Sequence, residues 1–240
     1  MADPKPNNAD WKPMHSIGLV VIIVAIAMVG MLVDPIWTKW ILIMVFITLF
    51  TMLASGGVTG NYWLGWLINE QERISLSRLQ MFLWTILILS AYISAVFANI
   101  KVGGDPLNAL NITIPDELWL AMGISTTSLV ASPLINRRKS TLLDEREKSP
   151  QLSDLFTSEY DPKIIDLSRM QNLYFTLILV GAYFMSLGST MYDALNNGNR
   201  IADFPELNQT FLALLAVSHA GYLSYKVGTN PPENGNKKDK

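Results

Sequence analysis

The chain has 240 residues, of which 50% are apolar and only 16% are Asp, Glu, Lys or Arg, and its formal net charge is −2. Soluble domains carry about 25% charged residues, so the composition argues against an ordinary soluble domain, and no basic face indicates a nucleic-acid partner. The absence of cysteine excludes disulfides, thiolate metal sites and cysteine nucleophiles.

Six apolar segments approach the ~20 residues that a membrane-spanning helix needs. In chain order they are residues 17–33, 40–54, 79–98, 118–135, 170–191 and 207–227. Asp34-Pro35 separates the first two, because proline cannot continue a helix. Gly56-Gly57 is expected to end the second segment, which is the shortest. The sequence therefore predicts an all-α integral membrane protein with six transmembrane helices.

The distribution of Lys and Arg predicts the orientation. With the N-terminus inside, 15 of the 18 basic residues fall in inner segments, and only Lys39, Lys101 and Arg200 fall in outer ones. Basic residues accumulate on the cytoplasmic side of membrane proteins. We therefore expect the chain to lie in the inner (plasma) membrane with both termini in the cytoplasm.

The segments between the spans complete the predicted organisation. We expect a cytoplasmic N-terminal segment (1–16), a transmembrane hairpin (17–55), an interfacial connector (56–75), a second transmembrane hairpin (76–135), a charged cytoplasmic linker (136–166), a third transmembrane hairpin (167–227) and a disordered tail (228–240). The aromatic residues of segment 62–68 of the connector, Tyr62, Trp63 and Trp66, favour a position at the lipid headgroups. The charged linker is interpreted as solvated, with a partner-docking turn around Phe156 as the alternative.

An internal repeat relates the last two hairpins. Leu76-Ser77-Arg78-Leu79-Gln80 recurs, shifted by 91 residues, as Leu167-Ser168-Arg169-Met170-Gln171. Each unit contains an even number of spans, so both copies have the same orientation. The sequence therefore predicts a tandem, parallel repeat with a pseudo-twofold axis along the membrane normal.

The repeated motif has a structural interpretation as a helix start. Ser77 and Ser168 are predicted N-caps, and Gln80 and Gln171 would complete a capping box three residues later. The arginines that follow each serine, Arg78 and Arg169, would anchor the helices at the inner surface with their charged ends reaching toward water. An anion or lipid-headgroup site is the alternative hypothesis for the same residues.

The pattern that opens these helices resembles that of bacterial inner-membrane proteins of unknown function. The resemblance depends on residues 76–80, 123–125, 167–171 and 218–222, and it covers roughly the last two-thirds of the chain. It implies a bacterial origin and a shared fold. It brings no activity with it.

Polar residues inside the spans are the remaining candidates for function. The sequence suggests a polar intramembrane path of Ser125, Thr126, Ser218 and His219, the last being the only ionisable side chain well inside a span. Small residues at a spacing of four, such as Ser90 with Ser94, favour close helix packing instead. An oligomeric pore lined by the fourth and sixth helices is therefore an alternative to a packing role.

An intramembrane protease is a further alternative. Gly123-Ile124-Ser125-Thr126 and Ser218-His219-Ala220-Gly221 are similar to the serine and histidine segments of rhomboid-type proteases, in which a histidine activates a serine. However, Thr126 stands where that motif has glycine, and the second span has no His or Asn to stabilise an oxyanion.

The sequence thus favours a non-enzymatic scaffold, sensor or accessory subunit without cofactor or metal. Such a protein would associate with itself or with another membrane protein through small-residue helix faces.

Overall fold

The computed structural model describes residues 11–59, 63–69, 72–103, 106–123, 126–127, 150–158 and 163–228. Over these ranges the secondary structure consists of seven α-helices, two short 3-10 helices and three isolated β-bridges, with no strand. The predicted all-α fold class is confirmed.

The helices follow the apolar segments of the sequence. They are α1 (Pro13–Leu32), α2 (Ile36–Thr59), α3 (Leu76–Val102), α4 (Pro106–Ala109), α5 (residues 116–123), α6 (Leu167–Asn196) and α7 (Gln209–Gly228). The 3-10 helices Gly65–Leu67 and Leu152–Leu155 precede α3 and α6 respectively.

Four helices are long and apolar enough to cross a membrane: α1, Ile36–Val58 within α2, α3 and α6. They correspond to the first, second, third and fifth predicted spans. The sixth predicted span is the 20-residue helix α7, which is not among these four. Only the beginning of the fourth predicted span is described, as α5 and the helical residues 126–127. The remainder of that span, residues 1–10, most of the charged linker and the tail beyond Gly228 lie outside the described residues.

The second helix is longer than the sequence predicted. It runs for 24 residues, from Ile36 to Thr59, and does not end at Gly56-Gly57. The predicted end was wrong because Gly57 serves close packing here: a Cβ at this position would lie 2.9 Å from the indole ring of Trp11 and 3.1 Å from the ring of His15. The glycine thus lets the start of α1 approach the end of α2.

α3 is the central helix of the protein. Half of its most apolar 18-residue window is buried, compared with 6% for α1. The predicted small-residue row on α3 lies in this interior, since Ser90, Ala91, Ser94 and Ala95 are all buried. The indole nitrogen of Trp40 in α2 donates a 2.9 Å hydrogen bond to the hydroxyl of Ser90. A stacked ring pair, Trp40 with Phe184 at 4.6 Å, joins α2 to α6.

Candidate functional site

A short hairpin leads into α3. After the 3-10 helix Gly65–Leu67, an antiparallel bridge pairs Ile68 with Ile74. The amide of Asn69 donates to the carbonyl of Arg73 at 2.9 Å, and the amide of Ser75 donates to the carbonyl of Leu67 at 2.8 Å. These bonds fold the chain back immediately before the helix and fix the direction in which α3 starts.

A second hairpin leads into α6 in the same way. The 3-10 helix Leu152–Leu155 is followed by an antiparallel bridge between Thr157 and Ile165. The amide of Ser158 donates to the carbonyl of Ile164, and the amide of Asp166 donates to the carbonyl of Phe156, both at 2.9 Å. Residues 150–158 of the predicted charged linker therefore have a defined fold against the helix start.

The hairpins place the helix caps elsewhere than the sequence suggested. Ser75 is the N-cap of α3 and accepts from the amide of Arg78 at 3.4 Å. Asp166 is the N-cap of α6 and accepts from the amides of Ser168 and Arg169 at 3.0 and 3.2 Å. The predicted capping by Ser77 and Ser168 is thus corrected: both residues lie in the first turn, because each hairpin delivers the chain two residues earlier.

The glutamines of the predicted capping box differ between the copies. Gln80 is fully buried, and its amide nitrogen donates to Asn172 Oδ1 at 2.8 Å and to Thr176 Oγ1 at 2.7 Å. Gln171, in contrast, is exposed. Gln80 therefore joins α3 to α6 and does not complete a cap.

A buried charged cluster lies between the two hairpins. Arg73 donates through Nε to Asp154 Oδ1 at 3.2 Å and through its terminal nitrogens to Ser158 O at 2.8 Å and Thr157 Oγ1 at 3.1 Å. Asp154 also accepts from the amide of Ile74 at 3.3 Å. Buried charges are tolerated only when paired and hydrogen-bonded. The segment around Asp154 is consequently attached to the start of α3.

The equivalent arginines of the repeat have different surroundings. Arg169 is buried, lies 3.6 Å from Asp166 Oδ2 through Nε and donates to the backbone carbonyl of Asp154 at 3.1 Å. Arg78 is half-buried, and the described part of the chain provides no hydrogen-bond or ion-pair partner for its guanidinium. The predicted anchoring role thus does not describe Arg169, which is held inside the protein.

A polar network continues from Gln80 into α7. Ser218 Oγ donates to Asn172 Oδ1 at 2.8 Å, so one amide oxygen joins α3, α6 and α7. Some buried polar atoms beside it have no hydrogen-bond partner among the described residues, namely Ser77 Oγ, Gln80 Oε1, Trp84 Nε1 and Asn172 Nδ2.

Three of the four residues of the predicted polar path are described. Ser218 and His219 are both buried in α7. Thr126 is exposed, and its hydroxyl donates to the carbonyl of Met122 in its own helix at 2.8 Å. Ser125, the remaining residue of the predicted path, lies outside the described residues.

A second set of polar contacts lies around the C-terminal end of α3. Asn99 at the end of α3 exchanges two hydrogen bonds with the backbone of Ile201, at 2.9 and 2.8 Å. Lys101 donates to Asp34 Oδ2 at 2.8 Å, and Lys39 lies 3.7 Å from the other oxygen. The hydrogen bond from Lys101 lowers the pKa of the Asp34 carboxyl below its usual value.

Four residues with these contacts were not among the candidates predicted from the sequence, namely Arg73, Asp154, Asn172 and Asn99. One signal could have indicated the caps: Ile74 and Ile165 extend the repeat upstream, and each is followed by a residue type that favours N-caps, Ser75 or Asp166.

Among the described residues, the polar side chains of this region form helix-to-helix contacts. No group of three or more His, Asp or Glu residues that could hold a metal ion occurs in the ranges given above. An apolar cavity of about 530 Å³ lies between α3 and α5, with Thr85, Tyr92, Trp119 and Met122 in its lining. Comparison with protein-family models, curated proteins and solved structures found no match to the chain.

Proposed function

We propose that the protein is a non-enzymatic, six-span protein of the bacterial inner membrane that acts as a scaffold or accessory subunit of a membrane complex. The distribution of Lys and Arg supports cytoplasmic termini. In this topology α7 is the sixth span, and residues 118–135, which begin within α5, are the fourth.

The two short β-bridged hairpins that precede α3 and α6 support the tandem repeat. Ser75 and Asp166 are 91 residues apart, the same separation as between the Leu-Ser-Arg motifs. The amide of Ser75 donates to the last residue of the preceding 3-10 helix, and the amide of Asp166 donates to the residue directly after its 3-10 helix. The loop of the second hairpin is two residues longer, at 158–164 against 69–73. We therefore infer that each repeat unit begins at its 3-10 helix, upstream of the motif.

One observation carries the scaffold proposal: the polar side chains of the interior are used to join helices. Gln80, Asn172 and Ser218 connect α3, α6 and α7, while Trp40 and Ser90 connect α2 to α3. An enzyme would need a nucleophile, a base or an electrophile that converge on one place. Interhelical hydrogen bonds of this kind hold membrane bundles together.

The surface offered to a partner is a row of small residues on α7. Ala216, Ala220 and Ser224 are spaced four residues apart and are exposed, unlike the row on α3, which is buried within the chain. Small residues at this spacing let a second helix approach closely in lipid, where apolar burial gives little driving force. A second copy or another membrane protein would bind along this row.

The test is the state of association in native lipid. Ala220→Ile should shift the purified protein in lipid nanodiscs from an oligomer or complex toward the single chain, as measured by mass photometry. Val217→Leu is the matched control, because Val217 is an exposed neighbour on the same helix that is already large. A wild-type protein that is always a lone monomer without a co-purifying partner would contradict the proposal.

A pore remains the second candidate, and the buried amide atoms Gln80 Oε1 and Asn172 Nδ2 favour it, because no described residue satisfies them. They lie beside Ser218, in the sixth helix that such a pore would use. This proposal predicts solute flux or ion conductance in reconstituted liposomes, reduced by Ser218→Ala. Liposomes that never conduct would eliminate it while leaving the scaffold proposal intact.

A further inference from the structure

Arg78 and Arg169 hold the same place in their helices. Each is the third residue of its helix, and each amide is accepted by the N-cap side chain that precedes it. Their guanidinium groups should therefore leave the two helices in similar directions.

The two guanidinium groups differ in their anionic partner. Asp166 supplies a carboxylate to Arg169, and the second hairpin adds the carbonyl of Asp154. In the first copy Ser75 stands in the place of Asp166, so the cap has a hydroxyl and no charge. Glu72 is near Arg78 in the sequence, but the two form no ion pair within the part of the chain that the structure describes. Among the described residues, Arg78 therefore has no carboxylate in the position that Asp166 has beside Arg169.

The surroundings of Arg78 are typical of the headgroup region of a bilayer. Phe82, one turn along the same helix face, lies 3.9 Å from Trp66 of the 3-10 helix, measured between ring centres. Trp63 and Leu64 in front of that turn are 59% and 40% exposed. Aromatic side chains concentrate at this level of membrane proteins.

We propose that Arg78 binds the phosphate of a phospholipid headgroup in the leaflet at the N-terminal end of α3. The phosphate takes the position relative to Arg78 that the Asp166 carboxylate has relative to Arg169. A guanidinium can form two parallel hydrogen bonds to phosphate oxygens. Trp63 and Leu64 contact the glycerol and upper acyl region of the same lipid. This site is independent of whether the protein acts as a scaffold.

The test uses the full chain in detergent, titrated with phosphatidylglycerol and followed by native mass spectrometry. Arg78→Gln should weaken lipid binding about fivefold, the contribution of one basic residue near an anionic membrane surface. Ser75→Asp should weaken it to a similar extent, because the new carboxylate pairs with Arg78 as Asp166 pairs with Arg169. Aspartate is a favoured N-cap, so this variant keeps the helix start intact.

Two arms separate the proposal from its competitors. Arg169→Gln should bind the lipid as the wild type does, because its arginine is already paired inside the protein. Inorganic phosphate at the same concentration should not displace the lipid. Wild-type binding by Ser75→Asp, an equal loss in a folded Arg169→Gln protein, or displacement by inorganic phosphate would each overturn the assignment.

Discussion

The starts of α3 and α6 share a backbone plan and a five-residue motif, yet they lie in different environments. Leu76 is 1% exposed, whereas Leu167, its counterpart, is 77% exposed. The difference arises from the neighbours, because the hairpin of α1 and α2 packs on α3, and α2 contacts α6 mainly near Trp37 and Trp40. A repeated motif thus specifies how a helix begins, while the surrounding helices decide which of its side chains are buried.

The charged cluster between the hairpins gives the largest expected effect. Asp154→Ala leaves Arg73 buried without its carboxylate, and breaking a buried pair in this way costs about 3–5 kcal/mol. The free energy of unfolding, measured by denaturant titration in mixed micelles, should fall by that amount. The control Asp193→Asn removes an exposed acidic group of α6 and should change stability by less than about 0.5 kcal/mol. Equal stabilities would show that residues 150–158 do not hold the two helix starts together.

The two caps give the next comparison. Asp166→Ala removes an acceptor for two amides and the carboxylate beside the buried guanidinium of Arg169. We expect a loss of about 3 kcal/mol, at the lower end for a broken buried pair, because Arg169 keeps its hydrogen bond to the carbonyl of Asp154. Ser75→Ala removes one acceptor at 3.4 Å and should cost about 0.5–1 kcal/mol. The same denaturant titration measures both. A larger loss for Ser75→Ala, or for Ser77→Ala, would contradict the assigned caps.

The apolar elements of this fold were predictable from the sequence, because their length and composition determine them. Four helices match predicted spans, and the break between α1 and α2 falls at Asp34-Pro35 as expected. The end of α2 was missed because glycine has two uses: Gly57 gives room to Trp11 and does not stop the helix. Composition alone cannot distinguish the two.

The candidate site was less predictable, because its contacts join residues far apart in the chain. Arg73 and Asp154 are separated by 81 residues. Arg73 ends the charged stretch 70–73, and Asp154 lies in the linker that the sequence predicted to be solvated. Ser218 was predicted as part of a polar intramembrane path, but its hydrogen-bond partner Asn172 was not singled out, because Met81 stands at the position 91 residues earlier. Only the packing of α3, α6 and α7 shows that these residues meet.

The glutamines of the motif, Gln80 and Gln171, provide a further comparison of the two helix starts. Gln80→Leu removes both hydrogen bonds from α3 to α6 and should lower the free energy of unfolding by about 1 kcal/mol, since interhelical hydrogen bonds in membranes contribute about 0.6 kcal/mol on average. Gln171→Leu is the matched control and should have no effect, because that side chain is exposed. If both variants lost stability equally, the glutamines would share a capping role after all.

Tyr92 and Tyr183, which are also 91 residues apart, give the smallest expected effects on stability. Tyr92 donates to the carbonyl of Leu110 and Tyr183 to that of Pro205, both at 3.0 Å, so each ties its helix to the loop that follows the helix. Tyr183 is buried and Tyr92 is half-buried. Tyr183→Phe should therefore cost about 1 kcal/mol, and Tyr92→Phe about half as much, because water can replace the partner of a more accessible carbonyl. Amide hydrogen exchange over residues 106–115 and 201–208 locates the effect: each variant should speed exchange only in its own loop. Faster exchange in both loops from either variant would contradict this expectation. It would mean that the two loops open together, through the parallel bridge between Thr113 and Asp203 that joins them.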